Sequence, residues 1–196
     1  FYMLFRYFGQ QAAWERKGFR FKMPIKLLDS TLVSLTISVY DWAHYTTSKG
    51  AVKMHTLLDY DCLLPEFMNI TGGKRTDNKA AFDIEIKPHS IVVADRGYCD
   101  YGLLNYWDSN NVFYVGRHKD NIRYRTIEEL PLPKQHTQNV LMDESIEFGL
   151  PAAKEKFPKR LKRIAVWNDE HGFVIELLTN NFTLAASTIA KLYKAR

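Results

Sequence analysis

The sequence predicts an α/β protein in which strands and helices alternate and a strand-rich segment follows. Three observations carry this prediction. Ile91 to Ala94 form a short unbroken apolar run, typical of a strand buried on both faces. Residues 98–109 come next and have the pattern of a helix, with Leu103 and Leu104 as its apolar residues. Residues 117–180 consist of short alternating runs separated by prolines, as expected of strands in a β-rich region.

The composition indicates a folded domain with a mildly basic charge. The 196 residues are 46% hydrophobic and 14% aromatic, and the net charge of +5 is compatible with a nucleic-acid partner without requiring one. Cys62 and Cys99 are too few for a cysteine metal site and indicate reduced thiols in a cytosolic protein. No apolar segment approaches membrane-spanning length. The chain begins at Phe1 and ends in Lys-Ala-Arg, so we expect a fragment at both ends.

The first half predicts three strands and a helix before the run at Ile91. Residues 1–20 have the pattern of the tail of a helix, and 40–48 that of a loop or short helix. Asp61 and Cys62 mark a turn between the second and third strands. The glycine pair at 72–73 lacks the spacing of a phosphate-binding loop, and we discount it. The predicted strands are 25–37, 51–59 and 63–71, and the predicted helix is 79–86.

The second half predicts five more strands and a final helix. The segment 168–172 has the composition of a hairpin turn. We interpret the basic runs 117–125 and 154–163 as solvated faces, which in a DNA-binding protein would contact phosphates. Trp42, Trp107 and Trp167 are predicted in the core. The strands are 111–116, 123–127, 145–148, 161–167 and 173–178, and the segment 183–193 is a loop that opens a helix running to the end of the sequence.

Two aspartates stand on separate strands and are candidates for one site. Asp95 follows the buried run directly, and Asp29 lies inside the first strand, where a carboxylate is costly unless it is paired, protonated or bound to metal. If these strands are neighbours, both carboxylates converge, and carboxylates without histidine or cysteine suit Mg²⁺ or Mn²⁺. The alternative is two unrelated aspartates, with Asp95 capping the following helix and Asp29 satisfied by a hydrogen bond.

Six short segments stand out as an ordered set of motifs. They are 28–31, 49–59, 70–74, 93–98, 178–182 and 189–196. This ordered set resembles the DDE transposases of bacterial insertion sequences, in the group with a Y-x2-R-x3-E-x6-K signature. The resemblance runs from about Ile25 to Arg196, and the segment 93–98 is its most specific block. Gly72 departs from the family pattern, since an acidic residue is common there.

The resemblance implies an RNase H-like fold, with a mixed five-stranded sheet, flanking helices and a β-rich insertion before the C-terminal helix. It divides the chain into an N-terminal helical remnant, a catalytic core, the insertion and the start of the catalytic helix. These segments are 1–24, 25–116, 117–180 and 181–196 respectively.

The resemblance also implies an enzyme that cleaves DNA and transfers strands, with Asp29 and Asp95 as catalytic residues and ligands of Mg²⁺ or Mn²⁺. Arg96, Tyr193 and Arg196 are the implied DNA contacts. The implied partners are transposon-end DNA, target DNA and a second copy of the chain, and no membrane is implied. The implied location is the cytoplasm, with association to the nucleoid when DNA is bound.

One departure concerns the third acid. Tyr193 and Arg196 fit Y-x2-R, but the glutamate of the signature would lie four positions past Arg196, where the chain stops. We therefore expect the fragment to be inactive. The alternatives are a metal-dependent nuclease of the same fold and an inactive DNA-binding remnant of a transposase.

Overall fold

The computed structural model describes residues 19, 22–35, 50–118, 122–132 and 139–196. These residues form two compact units, the first ending at Ser90 and the second beginning at Ile91. The predicted N-terminal helix lies outside the described residues apart from Phe19. The predicted loop 40–48, Trp42 and the last two residues of the first predicted strand lie outside them as well.

The first unit contains three antiparallel strands in the order β3-β2-β1, which confirms the predicted strands. They are β1 (Ile25–Leu35), β2 (Gly50–Asp59) and β3 (Pro65–Gly72). The predicted turn joins β2 to β3, and the Asp59 carboxylate accepts hydrogen bonds from the N–H groups of Asp61 and Cys62 at 2.9 and 3.2 Å. Asp59 thereby fixes the turn that sets the register of this hairpin.

The helix of the first unit differs from the prediction. Helix α1 (Asp77–Ala81) begins two residues before the predicted start and ends five before the predicted end. The amides of Asp83 and Ile84 bond to Ala80 and Ala81 in tight turns, so the helix does not continue. Ile84 and Ile86 are buried from an irregular segment, and their apolar character produced the error.

The second unit contains a six-stranded mixed sheet in the order β4-β5-β9-β8-β7-β6. Strand β4 pairs in parallel with β5, and the remaining neighbours are antiparallel. The strand-rich segment 117–180 therefore extends the sheet from β5, and β9 is its strand that pairs with β5. The strands are β4 (Ile91–Ala94), β5 (Phe113–Arg117), β6 (Tyr124–Glu129), β7 (Val140–Phe148), β8 (Leu161–Asn168) and β9 (Phe173–Thr179). Parallel and antiparallel strands with intervening helices confirm the predicted α/β class.

The predicted helix 98–109 is divided into two elements. A 3₁₀ helix (Arg96–Tyr98) ends before Asp100, whose carboxylate accepts hydrogen bonds from the N–H groups of Gly102 and Leu103 and so caps α2 (Tyr101–Ser109). The C-terminal helix is α4 (Ala186–Lys194). Sequence analysis missed α3 (Pro151–Lys156), where a proline occupies the first turn, which needs no N–H donor.

The hairpin of β8 and β9 follows the prediction at its turn, but the basic run before it does not. Gly172 adopts a φ of +67°, which a side chain would strain. Lys162 and Arg163 were predicted on a solvated face, yet both are buried. Lys162 pairs with Asp143 at 3.2 Å, and Arg163 pairs with Glu144 at 2.7 Å. Strand β8 therefore carries an ion pair on each of its faces. The rest of the basic run 154–163, which lies before β8, is the part that is solvated.

The second unit has an aromatic core between its sheet and α2. Trp107 is buried, as predicted, and its ring lies 6.0 Å from that of Tyr114. Trp167, also predicted in the core, is 40% exposed. None of the helices in the described parts of the chain is long and apolar enough to cross a membrane.

We expect Lys26→Met to weaken the first unit in a pH-dependent way. Lys26 is buried between Asp59 and Glu66 at 2.7 and 2.6 Å. Burial alone would raise the pKa of Asp59, but the hydrogen bond and charge of Lys26 hold that pKa below its ordinary value. The substitution should lower the free energy of unfolding by roughly 2 kcal/mol at neutral pH, less than for a fully buried pair because Asp59 is partly exposed.

The pH dependence of that loss follows from the sign of the shift. A depressed carboxyl pKa stabilises the fold above the unfolded value of about 3.9, and the benefit disappears as the pH falls through the folded value. Urea unfolding should therefore show the difference between variant and wild type shrinking as the pH falls below about 3.9. Lys22→Met, at an exposed position, is the control. A difference that is constant with pH would contradict this account.

Candidate functional site

Asp95 stands at the carboxyl end of β4, where the sequence placed it. The buried run Ile91–Ala94 holds the backbone, and the Asp95 side chain is 45% exposed. Its Oδ1 accepts a hydrogen bond from the Arg96 N–H at 2.6 Å. The carboxylate thus caps the 3₁₀ helix, whereas α2 is capped by Asp100. The cap uses Oδ1, and Oδ2 faces a different group.

That group is Arg196, and Tyr193 approaches the same carboxylate. The Tyr193 hydroxyl donates to Asp95 Oδ1 at 3.5 Å, the limit of a hydrogen bond, and the Arg196 guanidinium lies 3.8 Å from Oδ2. The guanidinium carbon of Arg196 lies 5.6 Å from the centre of the Tyr193 ring, within cation–π range. Three predicted site residues, separated by almost a hundred positions in the sequence, therefore meet.

The electrostatics keep Tyr193 protonated and able to donate. Burial raises the pKa of its hydroxyl, and the Asp95 carboxylate raises it further, against lowering by the charges of Arg196 and Arg117. The Arg196 side chain is 23% exposed, so its charge is held at the site rather than extended into solvent. The cluster combines one carboxylate, one neutral hydroxyl and one cation.

Two arginines flank this cluster. Arg96, a predicted DNA contact, is exposed on the 3₁₀ helix directly after Asp95. Arg117 ends β5, and the pairing of Ala94 with Gly116 puts it level with Asp95 at the carboxyl edge of the parallel strands. Sequence analysis had Arg117 only in a basic run. The rule that the carboxyl ends of adjacent parallel strands form a crevice could have identified it.

A cavity of about 260 Å³ adjoins Tyr193. It lies between α4 and the hairpin of β8 and β9. Its lining includes Tyr193, Lys194 and Trp167, and the last of these is exposed. The prediction that Trp167 lies in the core is wrong, because its side chain is 40% exposed and lines this cavity. The arrangement gives a concave surface with two aromatic rings and a cation.

Asp29 belongs to the first unit. It follows the buried segment Ile25–Leu28 of β1, is itself exposed, and accepts a hydrogen bond from the Ser30 N–H at 2.9 Å. The expected cost of a carboxylate inside an apolar strand is therefore not incurred. Its convergence with Asp95, which stands in the second unit, remains a prediction.

Ser30, the residue next to Asp29, is held by a polar cluster around Asp77. The Asp77 carboxylate accepts a hydrogen bond from the Ser30 hydroxyl at 2.8 Å and forms an ion pair with Lys53 at 3.1 Å. Buried His55 lies 3.8 Å from the same oxygen and 3.1 Å from the Thr71 hydroxyl. Burial lowers the pKa of His55, so the imidazole is neutral at neutral pH. The cluster ties β1 to β2 and α1 and so restrains the backbone at Asp29.

The donor chemistry of the two aspartates fits a hard divalent cation. Both present carboxylate oxygens that reach solvent, which are the ligands preferred by Mg²⁺ and Mn²⁺. Among the residues that the structure describes, no group of three or more histidine, cysteine, aspartate or glutamate side chains is arranged to hold a metal ion.

Comparisons with known proteins agree on one family. Residues 20–196 match the family model described as the transposase DDE domain. The chain is 27% identical over 181 residues to a probable transposase for insertion sequence element IS5377 from Geobacillus stearothermophilus, covering 92% of this chain and 47% of that protein. It is 28% identical over 174 residues to the putative transposase y4zB from Sinorhizobium fredii (strain NBRC 101917 / NGR234), covering 88% and 48%. The chain thus spans about half the length of these curated relatives.

A solved structure with partial likeness is the piggyBac transposase synaptic complex with hairpin DNA, determined by cryo-electron microscopy. The match has a TM-score of 0.49 and 10% identity, and it covers 87% of this chain and 36% of that one. The family predicted from the ordered motifs is confirmed by the family model.

Proposed function

The chain belongs to the family of DDE transposase domains, and from this premise we propose that it supplies catalytic residues for the metal-dependent cleavage and strand transfer of an insertion sequence. The observation that carries the proposal is the meeting of Tyr193 and Arg196 at the carboxylate of Asp95. In the proposed reaction, water cleaves a phosphodiester at the end of the element. The freed 3′ hydroxyl then attacks a phosphodiester of target DNA and displaces its 3′ oxygen.

Asp29 and Asp95 are the proposed ligands of Mg²⁺, with Mn²⁺ as the alternative. DDE transposase domains generally use divalent metal ions. Such an ion, when bound, stabilises charge on the attacking and leaving oxygens of a phosphodiester. The residues of the chain orient the carboxylates, through the N–H of Arg96 at Asp95 and the N–H of Ser30 at Asp29.

Arg96, Tyr193 and Arg196 are the proposed DNA contacts. The two arginines stand within a few residues of the ends of β4 and α4, where guanidinium groups can contact phosphate oxygens beside the bond to be cut. The cavity with Trp167 and Tyr193 is large enough for an unstacked base, and its rings offer stacking surfaces. Tyr193 then has two roles, a hydrogen bond to Asp95 and a wall of this cavity.

Two other functions fit the same residues. A nuclease of this fold would cut DNA without producing a joined strand, and a remnant would bind DNA without cutting it. The transposase proposal also includes a complex of two copies of the protein with transposon-end and target DNA. Cleavage of labelled duplex and strand joining between two duplexes, both measured in a complete transposase carrying these residues, separate the three functions. Joined product indicates a transposase, cleavage without joining a nuclease, and binding without cleavage a remnant.

For the 196 residues alone we expect no strand transfer. The described residues contain no trio of potential metal ligands, and a site with fewer ligands binds a cation weakly and holds the phosphodiester poorly. The test incubates the purified chain with element-end and target duplexes in Mg²⁺ and then in Mn²⁺. The complete transposase, in which joined product is expected, is the control. Joined product from the chain alone would contradict this prediction.

A further inference from the structure

Three basic side chains converge on Glu147 in the second unit. Its carboxylate lies 2.8 Å from Lys154, 3.5 Å from Arg125 and 3.7 Å from Arg160. The three cations are 52 to 73% exposed, whereas Glu147 is 18% exposed. The hydrogen bond from Lys154 lowers the pKa of Glu147, with smaller contributions from the charges of Lys154, Arg125 and Arg160, so its carboxylate stays ionised at neutral pH.

The cluster has more positive charge than its acids neutralise. Lys159, next to Arg160 in the chain, pairs with Asp108 at the end of α2. Four exposed cations therefore share two carboxylates. One carboxylate cannot satisfy the donors of two guanidinium groups and an ammonium, so most of these donors face solvent. We call Arg125, Lys154, Lys159 and Arg160 the basic cluster.

The basic cluster is remote from Asp95. Glu147 lies on β7, four strands from β4 in the order of the second unit's sheet. Through β5, β9 and β8, the register places Glu147 near the amino end of β4, whereas Asp95 follows its carboxyl end. With strands about 4.8 Å apart and about 3.3 Å per residue, the separation is on the order of 20 Å. The basic cluster is a second surface rather than an extension of the Asp95 site.

We propose that the basic cluster binds phosphates of duplex DNA at a position remote from the cut, an inference that rests on the proposed function. A separation of this size corresponds to about six base pairs along a duplex. The fork of a guanidinium matches two phosphate oxygens, and Glu147 holds the side chains in place before DNA arrives, which reduces the entropy lost on binding. DNA phosphates then replace water at the N–H groups of these side chains that face solvent, while the N–H groups that face Glu147 keep their contact with its carboxylate.

The test measures the affinity of the chain for a short duplex of random sequence by fluorescence anisotropy, over a series of salt concentrations. The variant combines Arg125→Gln, Lys154→Gln and Arg160→Gln. The control combines Lys22→Gln, Lys74→Gln and Lys87→Gln, which removes the same charge from exposed positions of the first unit. If each cation neutralises one phosphate, the slope of log affinity against log salt becomes shallower by about two to three for the variant and by less than one for the control.

Each result decides the proposal. A variant that changes the slope no more than the control overturns it, and the proposed function stands if Arg196→Gln still weakens binding. A wild-type chain that binds no duplex at low salt overturns the proposal, and the proposed function is then still tested by strand joining in the complete transposase. Polyglutamate that competes as well as DNA would assign the surface to an acidic protein and overturn the proposal.

Discussion

Asp95→Asn in a complete transposase carrying these residues is expected to reduce DNA cleavage by roughly 100-fold or more, while DNA affinity is unchanged or slightly higher. Asparagine keeps the size of the side chain and an oxygen that can accept from the Arg96 N–H. It loses the charge that a divalent cation requires, and a repulsion from phosphate is removed. Asp29→Asn should behave in the same way if both carboxylates serve one site. Cleavage of labelled element-end DNA and anisotropy on the same duplex measure the two quantities.

Arg196→Gln is the matched control, because its predicted contact is to DNA. It should weaken DNA binding, and cleavage should recover partly when DNA is saturating. Equal losses of affinity and cleavage in both aspartate variants would indicate a structural role for the carboxylates. A complete protein that binds DNA and does not cleave it, with or without the aspartates, would favour the inactive remnant.

The strands could be predicted because their signals are local. The run Ile91–Ala94 is apolar throughout because all four residues of β4 are buried, on both faces of the strand. Helix boundaries were less predictable, because capping decided them. Asp100 starts α2, and its carboxylate could equally have been an exposed charge in the middle of a longer helix. Apolar residues beyond α1 looked helical although they are buried from turns.

The site could be predicted only in part, because its members come from distant elements. Asp95 is identifiable as the first polar residue after a buried strand. Its contact with Tyr193 and Arg196 depends on the position of α4, which no local pattern encodes, and those two residues were selected through the family resemblance. Trp167 was predicted in the core, whereas its side chain is exposed and lines the cavity beside α4, which the sequence of β8 alone does not reveal.

The burial of charged residues in strands was also not predictable from the local sequence. Lys162 and Arg163 are adjacent and therefore point to opposite faces of β8. Each meets an acid from β7, because Asp143 and Glu144 are adjacent as well. The two partners of each pair are 19 positions apart in the chain, so the sequence alone does not distinguish the two cations from a solvated basic run. Only the register of β7 against β8 reveals that these charges are compensated.

The pair on the Tyr124 face yields the second large effect, a loss of stability in Arg163→Leu. Arg163 pairs with Glu144 and Glu176, and its guanidinium carbon lies 4.8 Å from the centre of the Tyr124 ring. Removing it leaves the buried Glu144 carboxylate without its cation, which should lower the free energy of unfolding by roughly 3–5 kcal/mol in urea titrations. Arg75→Leu, which breaks the exposed pair with Asp83, should cost about 0–1 kcal/mol.

The double variant Arg163→Leu with Glu144→Leu tests the cause of that loss. If an uncompensated buried charge causes it, removing Glu144 as well should restore much of the stability, because the penalty belongs to the isolated carboxylate. If Arg163 instead acts through packing against Tyr124, the double variant should be no more stable than Arg163→Leu. The sign of the coupling between the two substitutions therefore separates electrostatic compensation from packing in the strand-rich part of the second unit.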